Sequence, residues 1–197
     1  MVRTYRKKTS GTLWVRVILI LFCVALPMVA AGYLLRTVNI RVQKSLYPME
    51  YQQQVERYAE EYQIPKSVVF AVIHTESHFK HDAVSAAGAR GLMQITSDSR
   101  EWIAWRLKED ADVDLFDPEV NIRYGCYYLS YLYEKFGDLE LAYAAYNAGP
   151  TNVEKWLADP SVSKNGKLVN IPFEETRNYV KKVNSARETY QELYEIN

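Results

Sequence analysis

Two hydrophobic rhythms divide the 197-residue chain. From Val17 to Leu35 it reads VILILFCVALPMVAAGYLL, with no charged residue. Leu13, Trp14 and Val15 extend this run across Arg16. About 20 apolar residues suffice to cross a bilayer as a helix. Residues 13–35 are therefore predicted to be a transmembrane anchor. A cleaved signal peptide is the alternative, with Val29-Ala30-Ala31 as its cleavage site. Arg3, Arg6, Lys7 and Lys8 place residues 1–12 in the cytoplasm. Either reading puts the rest of the chain outside the cytoplasm.

Residues 36–49 read as a juxtamembrane linker. From residue 50 onward the apolar positions recur at helical spacing. Helices are predicted over 50–62, over 65–79 with Pro65 at its start, and over 97–108. Another runs from Asp117-Pro118 to Phe136-Gly137, and a further one spans 138–148, stopped by Gly149-Pro150. A short helix holds Val153 and Trp156, and the last runs from about Glu174 to the end. Residues 83–92 and 158–172 read as loops, and no stretch alternates as a strand would. Residues 50–197 are thus expected to form one all-α domain, large enough for a single core.

Charge separates the same two regions. The chain is neutral overall, but residues 1–47 hold eight Lys or Arg and no acid. The remainder holds 16 basic against 24 acidic residues, which argues against a nucleic-acid partner. Cys23 lies in the apolar run and Cys126 in the domain, so there is no disulfide framework and no cysteine-based metal spacing.

The chemistry concentrates at VIHTESHF, residues 72–79. With Val69 as origin and 100° per residue, Val72 falls at about 300°, Ile73 at about 40° and Glu76 at about 340°. Glu76 therefore continues the apolar stripe. His74 and His78 fall at about 140° and 180°, on the opposite face. A zinc-protease motif sets both histidines toward the metal with the glutamate directly after the first; this spacing does neither. His74, His78 and His81 could line up only if the helix continued, and a solvated histidine face is the simpler reading. A carboxyl within an apolar stripe is costly unless paired or protonated. Two readings are open: a hydrogen-bonded structural glutamate, or a general acid whose pKa is raised by desolvation.

Four further stretches put polar groups beside glycines or helix ends: ESHFKHDAVSAAGARGLMQ, NIRYGCYYL, AYNAGPTNVEKW and IPFEETRNYV. In these the chain resembles the soluble-type lytic transglycosylases of the lysozyme-like superfamily, over roughly residues 55–185. The resemblance implies peptidoglycan glycan strands as substrate. It also implies non-hydrolytic cleavage of the MurNAc–GlcNAc β-1,4 bond, leaving a 1,6-anhydro ring. By position, Glu76 matches the single catalytic acid/base and Ser77 the hydroxyl that supports it and contacts substrate. Gly91, Leu92, Met93 and Gln94 match a loop whose glutamine lines the cleft. Tyr146 and Asn147 match the sugar-binding Ala-Tyr-Asn-Ala-Gly segment. Glu175 and Tyr179 match a segment whose tyrosine hydroxyl lies near the catalytic carboxyl. His81 and Thr96-Ser97 depart from the family pattern. No metal or cofactor is implied.

Read as residues alone, several of these have plainer roles. Leu92 and Met93 suit a core, Glu175 and Tyr179 share a helical face, and Trp102, Trp105 and Trp156 fit core spacing before sugar stacking. Two rivals stay open. A muramidase would hydrolyse the same bond, with Asp82 or Asp98 as base. A non-catalytic wall-binding scaffold would need no acid. An anchored domain suits wall remodelling near the membrane, or opening a path for a secretion or conjugation machine.

Overall fold

The computed structural model describes residues 10–197, and the side chains of all of these except residues 10–13, 20, 23 and 24. The described residues divide into two units, one ending at Leu46 and the other spanning 47–197. In the first, α1 (Ser10–Leu46) is one continuous helix with Pro27 inside it. Its apolar side chains, among them Leu26, Met28, Val29 and Leu35, are exposed. Residues 36–46, predicted as linker, are therefore helical. Among the described residues no helix is long and apolar enough to cross a membrane. Part of the predicted 13–35 span lies outside the described side chains, namely Leu13, Ile20, Cys23 and Val24, and residues 1–9 of the predicted cytoplasmic segment lie outside the structure's description altogether.

The second unit carries α2 (Gln52–Glu61), α3 (Lys66–Ser77), α4 (Ser97–Leu107), α5 (Pro118–Phe136), α6 (Leu139–Ala148), α7 (Pro150–Ala158) and α8 (Glu174–Tyr194). Between α7 and α8 a small antiparallel hairpin pairs β1 (Ser163–Lys164) with β2 (Lys167–Leu168). The expected all-α domain is thus helical except for this hairpin, which falls in the segment predicted as loop. Two-residue strands are too short to register as alternation.

Helix α3 is the hub. Val68, Val69, Phe70, Ala71, Val72 and Ile73 are all fully buried. Six successive buried residues wrap a helix on every side, which is the pattern of a central core helix and not of a surface one. Helices α2 and α8 pack on it, and α5 and α6 complete the layer around them. Asp117 and Asp138 cap α5 and α6, each accepting two backbone N–H bonds. Gly149 ends α6 and Pro150 opens α7, so the predicted stop is also a start. The start of the unit is tied to α8: the Tyr190 and Tyr194 hydroxyls donate to the carbonyls of Pro48 and Tyr47 at 2.9 and 2.7 Å.

The predicted helix to Phe79 ends two residues early. His78 and Phe79 both adopt left-handed backbone, with φ of 49° and 63°. Only glycine enters that region without a steric cost, so the break carries none of the usual sequence markers.

Candidate active site

Glu76 occupies the last turn of the buried helix, where α3 reaches the surface. The helix that carries it is dry, and the carboxyl inherits that environment. Desolvation raises its pKa from 4.5 to about 7. The Tyr179 phenol opposes this by favouring the ionised form, and the negative charge of Glu175 adds to it. At neutral pH the group is therefore shared between acid and base forms, as proton transfer in both directions requires.

Helix α8 supplies Tyr179 and Glu175, one turn apart. Tyr179 is buried, and its hydroxyl makes no hydrogen bond of good geometry. Glu175 is exposed in the first turn. The two do not simply satisfy each other. Burial and the Glu76 charge push the Tyr179 phenol well above its ordinary range, so it is a proton donor throughout the neutral range.

Helix α6 supplies Tyr146 and Asn147. The Tyr146 hydroxyl donates to the Met93 carbonyl at 2.7 Å. The Glu76 charge also reaches this phenol. Asn147 accepts a hydrogen bond at 2.7 Å from Thr176, a buried residue of α8. One end of the amide is thereby fixed, and its donor end makes no hydrogen bond among the described residues.

The loop from residue 80 to 95 is held by bonds that sequence reasoning missed. Asn121, fully buried in the first turn of α5, accepts from the Met93 N–H at 2.7 Å. Its amide nitrogen donates to the carbonyls of Arg90 and Leu115 at 2.9 and 2.8 Å. One amide thus uses both donors and its acceptor to hang the loop on α5. Gly91 sits against it with φ +77°; a Cβ there would come within 2.2 Å of the Asn121 nitrogen and 2.3 Å of the Leu115 carbonyl. Only glycine fits. The Met93 side chain lies against Gly125 in mid-helix, where a Cβ would meet its sulfur at 2.2 Å. Gln94, itself left-handed at φ 51°, donates to the carbonyls of Gly91 and Ala83 at 2.8 and 3.2 Å. Its side-chain nitrogen closes the loop, leaving the carbonyl oxygen as its accepting group.

Of the predicted site residues, Glu76, Tyr146 and Tyr179 are brought together, with Glu175 near enough to act through its charge. Met93 and Gly91 shape the loop behind them. Ser77 is placed differently: it is buried and donates to the Ile73 carbonyl at 3.1 Å, so its hydroxyl is committed to the helix backbone and not to the Glu76 carboxyl. Successive helical residues point about 100° apart, which separates the two side chains. On the other face of α3, His74 stacks on Tyr47 at 4.6 Å and meets His78 at 4.8 Å. His81 is exposed beyond the end of the helix. Among the described residues no three His, Cys, Asp or Glu side chains gather as metal ligands.

Proteins of known structure share this fold. The chain resembles an inactive mutant of the lytic transglycosylase Slt from Pseudomonas aeruginosa, at 35% identity and a TM-score of 0.67 over 75% of this chain and 25% of that one. It also resembles the 70 kDa soluble lytic transglycosylase of Escherichia coli, at 32% identity and a TM-score of 0.69 over 76% of this chain and 25% of the other. Among curated proteins, it is 36% identical over 143 residues to a soluble lytic murein transglycosylase of Escherichia coli, covering 70% of this chain and 22% of that protein. It is 32% identical over 162 residues to a membrane-bound lytic murein transglycosylase C of Pectobacterium atrosepticum, covering 45% of it. The chain thus spans about a quarter of the first of these relatives and less than half of the second. The transglycosylase SLT domain model matches residues 53–169, more than half of the chain and all of the site except α8, and the chain belongs to that family.

Proposed function

We propose that residues 47–197 are a peptidoglycan lytic transglycosylase, cleaving the MurNAc–GlcNAc β-1,4 bond without water. The observation that carries this reading is the lone desolvated carboxyl of Glu76, with a pKa of about 7, set among phenols. Most glycosidases need two carboxyls at a fixed separation. One suffices when the sugar brings its own nucleophile. Glu76 in its acid form protonates the glycosidic oxygen as positive charge develops at C1. The C4–O leaving group departs as the hydroxyl of GlcNAc. The carboxylate so formed then takes the proton of the C6 hydroxyl of the same MurNAc, and O6 bonds to C1 to close the 1,6-anhydro ring. Attack within one sugar is favoured by proximity. Tyr179 steadies the carboxylate between the two steps, and Asn147 and Gln94 offer a donor and an acceptor to the sugars. The relatives' names support the same reading. Asp98 borders an aromatic cavity, Asp82 is exposed, and neither is among the groups that shift Glu76, which are burial, Tyr179 and Glu175; this favours the single-carboxyl reading over a hydrolase with a second one.

Residues 13–35 are read as the membrane anchor. Helix α1 is unbroken and its apolar side chains are exposed. Pro27 is tolerated in such a span. Twenty-three helical residues rise about 35 Å, against a hydrocarbon core of about 30 Å, and the apolar run that the described side chains alone do not complete is continued in the sequence by Leu13, Ile20, Cys23 and Val24. One of the named relatives is membrane-bound. Carbonate-washed membranes and N-terminal sequencing of the mature protein distinguish an anchor from a cleaved signal.

The test of the activity is mass spectrometry of purified peptidoglycan digested by the chain and by Glu76→Gln, with and without EDTA. Anhydro-muropeptides from the unaltered chain alone, unaffected by EDTA, are expected. Reducing ends would make it a hydrolase, and bound but uncut glycan a binding module.

A further inference from the structure

A cavity opens on the face of α3 turned away from Glu76. It holds about 270 Å³ between α3 and α8, and its polar wall is made by Tyr47, His74, Thr75, His78, Lys182 and Ser185. The rings in this wall are held in place. His74 lies flat on Tyr47, with centroids 4.6 Å apart and planes 13° from parallel, and meets His78 at 4.8 Å. Tyr190 braces Tyr47 edge-on at 5.6 Å. His78 is the residue at which α3 turns left-handed, and that turn sets its ring beside His74.

The charge of the wall differs from that of the domain around it. From residue 48 onward acids outnumber bases by 24 to 16, yet no carboxylate lines the cavity. Lys182 makes no ion pair among the described residues. The Thr75 hydroxyl spends its proton on the Ala71 carbonyl at 2.7 Å. The donors of the wall are therefore the imidazole N–H groups, the Lys182 ammonium and the Ser185 hydroxyl.

A metal ion is a poor fit. Among the described residues no third His, Cys, Asp or Glu joins the histidine pair, and the Lys182 ammonium repels a cation. An anion fits better. No arginine lines the cavity, so the flat two-point partner that a carboxylate prefers is missing. Donors on two helices around a lysine point charge suit the several oxygens of a phosphate. The volume lies below the about 300–1,000 Å³ that encloses a whole small-molecule ligand, which suits the end group of a larger molecule. Tyr47 is joined to the proposed anchor by residues 36–46 alone, at most about 16 Å of helix. The domain thus begins close to any bilayer that the anchor enters.

We propose that this cavity binds a phosphate group, carried by a lipid headgroup or by a soluble phosphate ester, and gives the domain a hold separate from its cleft. The site stands apart from the glycan reading, since Glu76 faces the other way. The chain has three histidines, two of them in the cavity, so NMR of isotope-labelled histidine probes it directly. The full chain in phosphate-free neutral detergent is titrated at fixed pH with glycerol phosphate and, separately, with phosphatidylglycerol mixed into the micelles. Exposed His81 is the control. Saturable shifts of His74 and His78, with His81 unmoved, are expected. A response to glycerol phosphate shows that a soluble ester suffices, and a response to the lipid alone identifies the headgroup. Lys182→Gln should weaken binding about tenfold, the scale of one charge-assisted hydrogen bond, and Lys182→Arg, which restores the charge, should keep most of it. Lys182 is exposed, so both variants should show the parent's ring signals before titration. No saturable shift with either compound, a shift of His81 as large as the others, or undiminished affinity in Lys182→Gln would overturn the site.

Discussion

The raised pKa of Glu76 has a consequence for folding. In the unfolded chain the carboxyl ionises around 4.5, whereas in the folded domain it holds its proton to about 7. Between those values the folded state binds the extra proton, so stability falls as pH rises. Above about 7 both states are ionised and the loss is complete. At 1.36 kcal/mol per pH unit, the interval from 4.5 to about 7 amounts to about 3 kcal/mol. This is a sizeable fraction of the 5–15 kcal/mol that holds an ordinary domain together, roughly speaking. Glu76→Gln keeps the shape and has nothing to ionise. Urea unfolding of the chain and of Glu76→Gln, followed by circular dichroism from pH 4 to 9, measures the difference. All other titrating groups are common to both and cancel. The variant should gain on the parent by about 3 kcal/mol between pH 4.5 and 8, with no further gain beyond. The substitution that removes activity thus stabilises the protein, a known trade-off where a site holds a costly group. Curves that stay parallel across the whole range would mean an ordinary carboxyl, and the general-acid reading would lose its physical basis.

Other predictions follow from neighbouring groups. Tyr179→Phe removes the group that favours the Glu76 carboxylate, so the alkaline limb of kcat/KM should move to higher pH while the melting temperature changes little; a limb that moves down would contradict the assigned role. Asn121→Ala breaks three bonds to buried backbone groups and should cost about 3 kcal/mol or more in urea unfolding; a loss under about 1 kcal/mol would show that the loop is held elsewhere. Gly125→Ala gains about 1 kcal/mol of helix propensity, yet its Cβ meets the Met93 sulfur. Overpacking costs about 1–3 kcal/mol, so a net loss is expected. Met93→Ala removes the sulfur and methyl but keeps the Cβ that lies 2.8 Å away, so the double substitution should relieve part of the clash and be more stable than the sum of the single losses predicts.

Much of this arrangement is readable from residues, and the failures have physical causes. Periodicity places Glu76 with Val69, Val72 and Ile73 and sends the histidines the other way, because one helix sets all their directions. The cap residues Asp117 and Asp138 and the prolines at 118 and 150 mark helix starts within a residue or two. What the sequence does not carry is contact at a distance. The bond from Asn121 to Met93 spans 28 positions, and that from Thr176 to Asn147 spans 29. No local pattern announces a buried amide with three partners. Ser77 misleads for the opposite reason, since adjacency in sequence suggests adjacency in space and a helix denies it.

The early end of α3 decides whether Glu76 can meet a substrate at all. Had the helix continued, residues 79 and 80 would stand one turn above Glu76 on its own face and cover it. Instead His78 and Phe79 turn left-handed, at about 1–2 kcal/mol for each residue that is not glycine. Much of that cost is offset by Phe79, which is only 5% exposed and packs toward Phe70 with ring centroids 6.4 Å apart. Burying a phenylalanine contributes about 1.5–3 kcal/mol, which offsets most of the about 2–4 kcal/mol of the two left-handed residues. The chain then leaves the face of Glu76 and returns with Gly91 to Gln94, whose backbone Tyr146 and Asn121 fasten from α6 and α5. Placing the acid at the end of the most buried helix supplies desolvation from behind and an opening in front. A glutamate in the middle of α3 would have the first without the second, and one on α8 the second without the first.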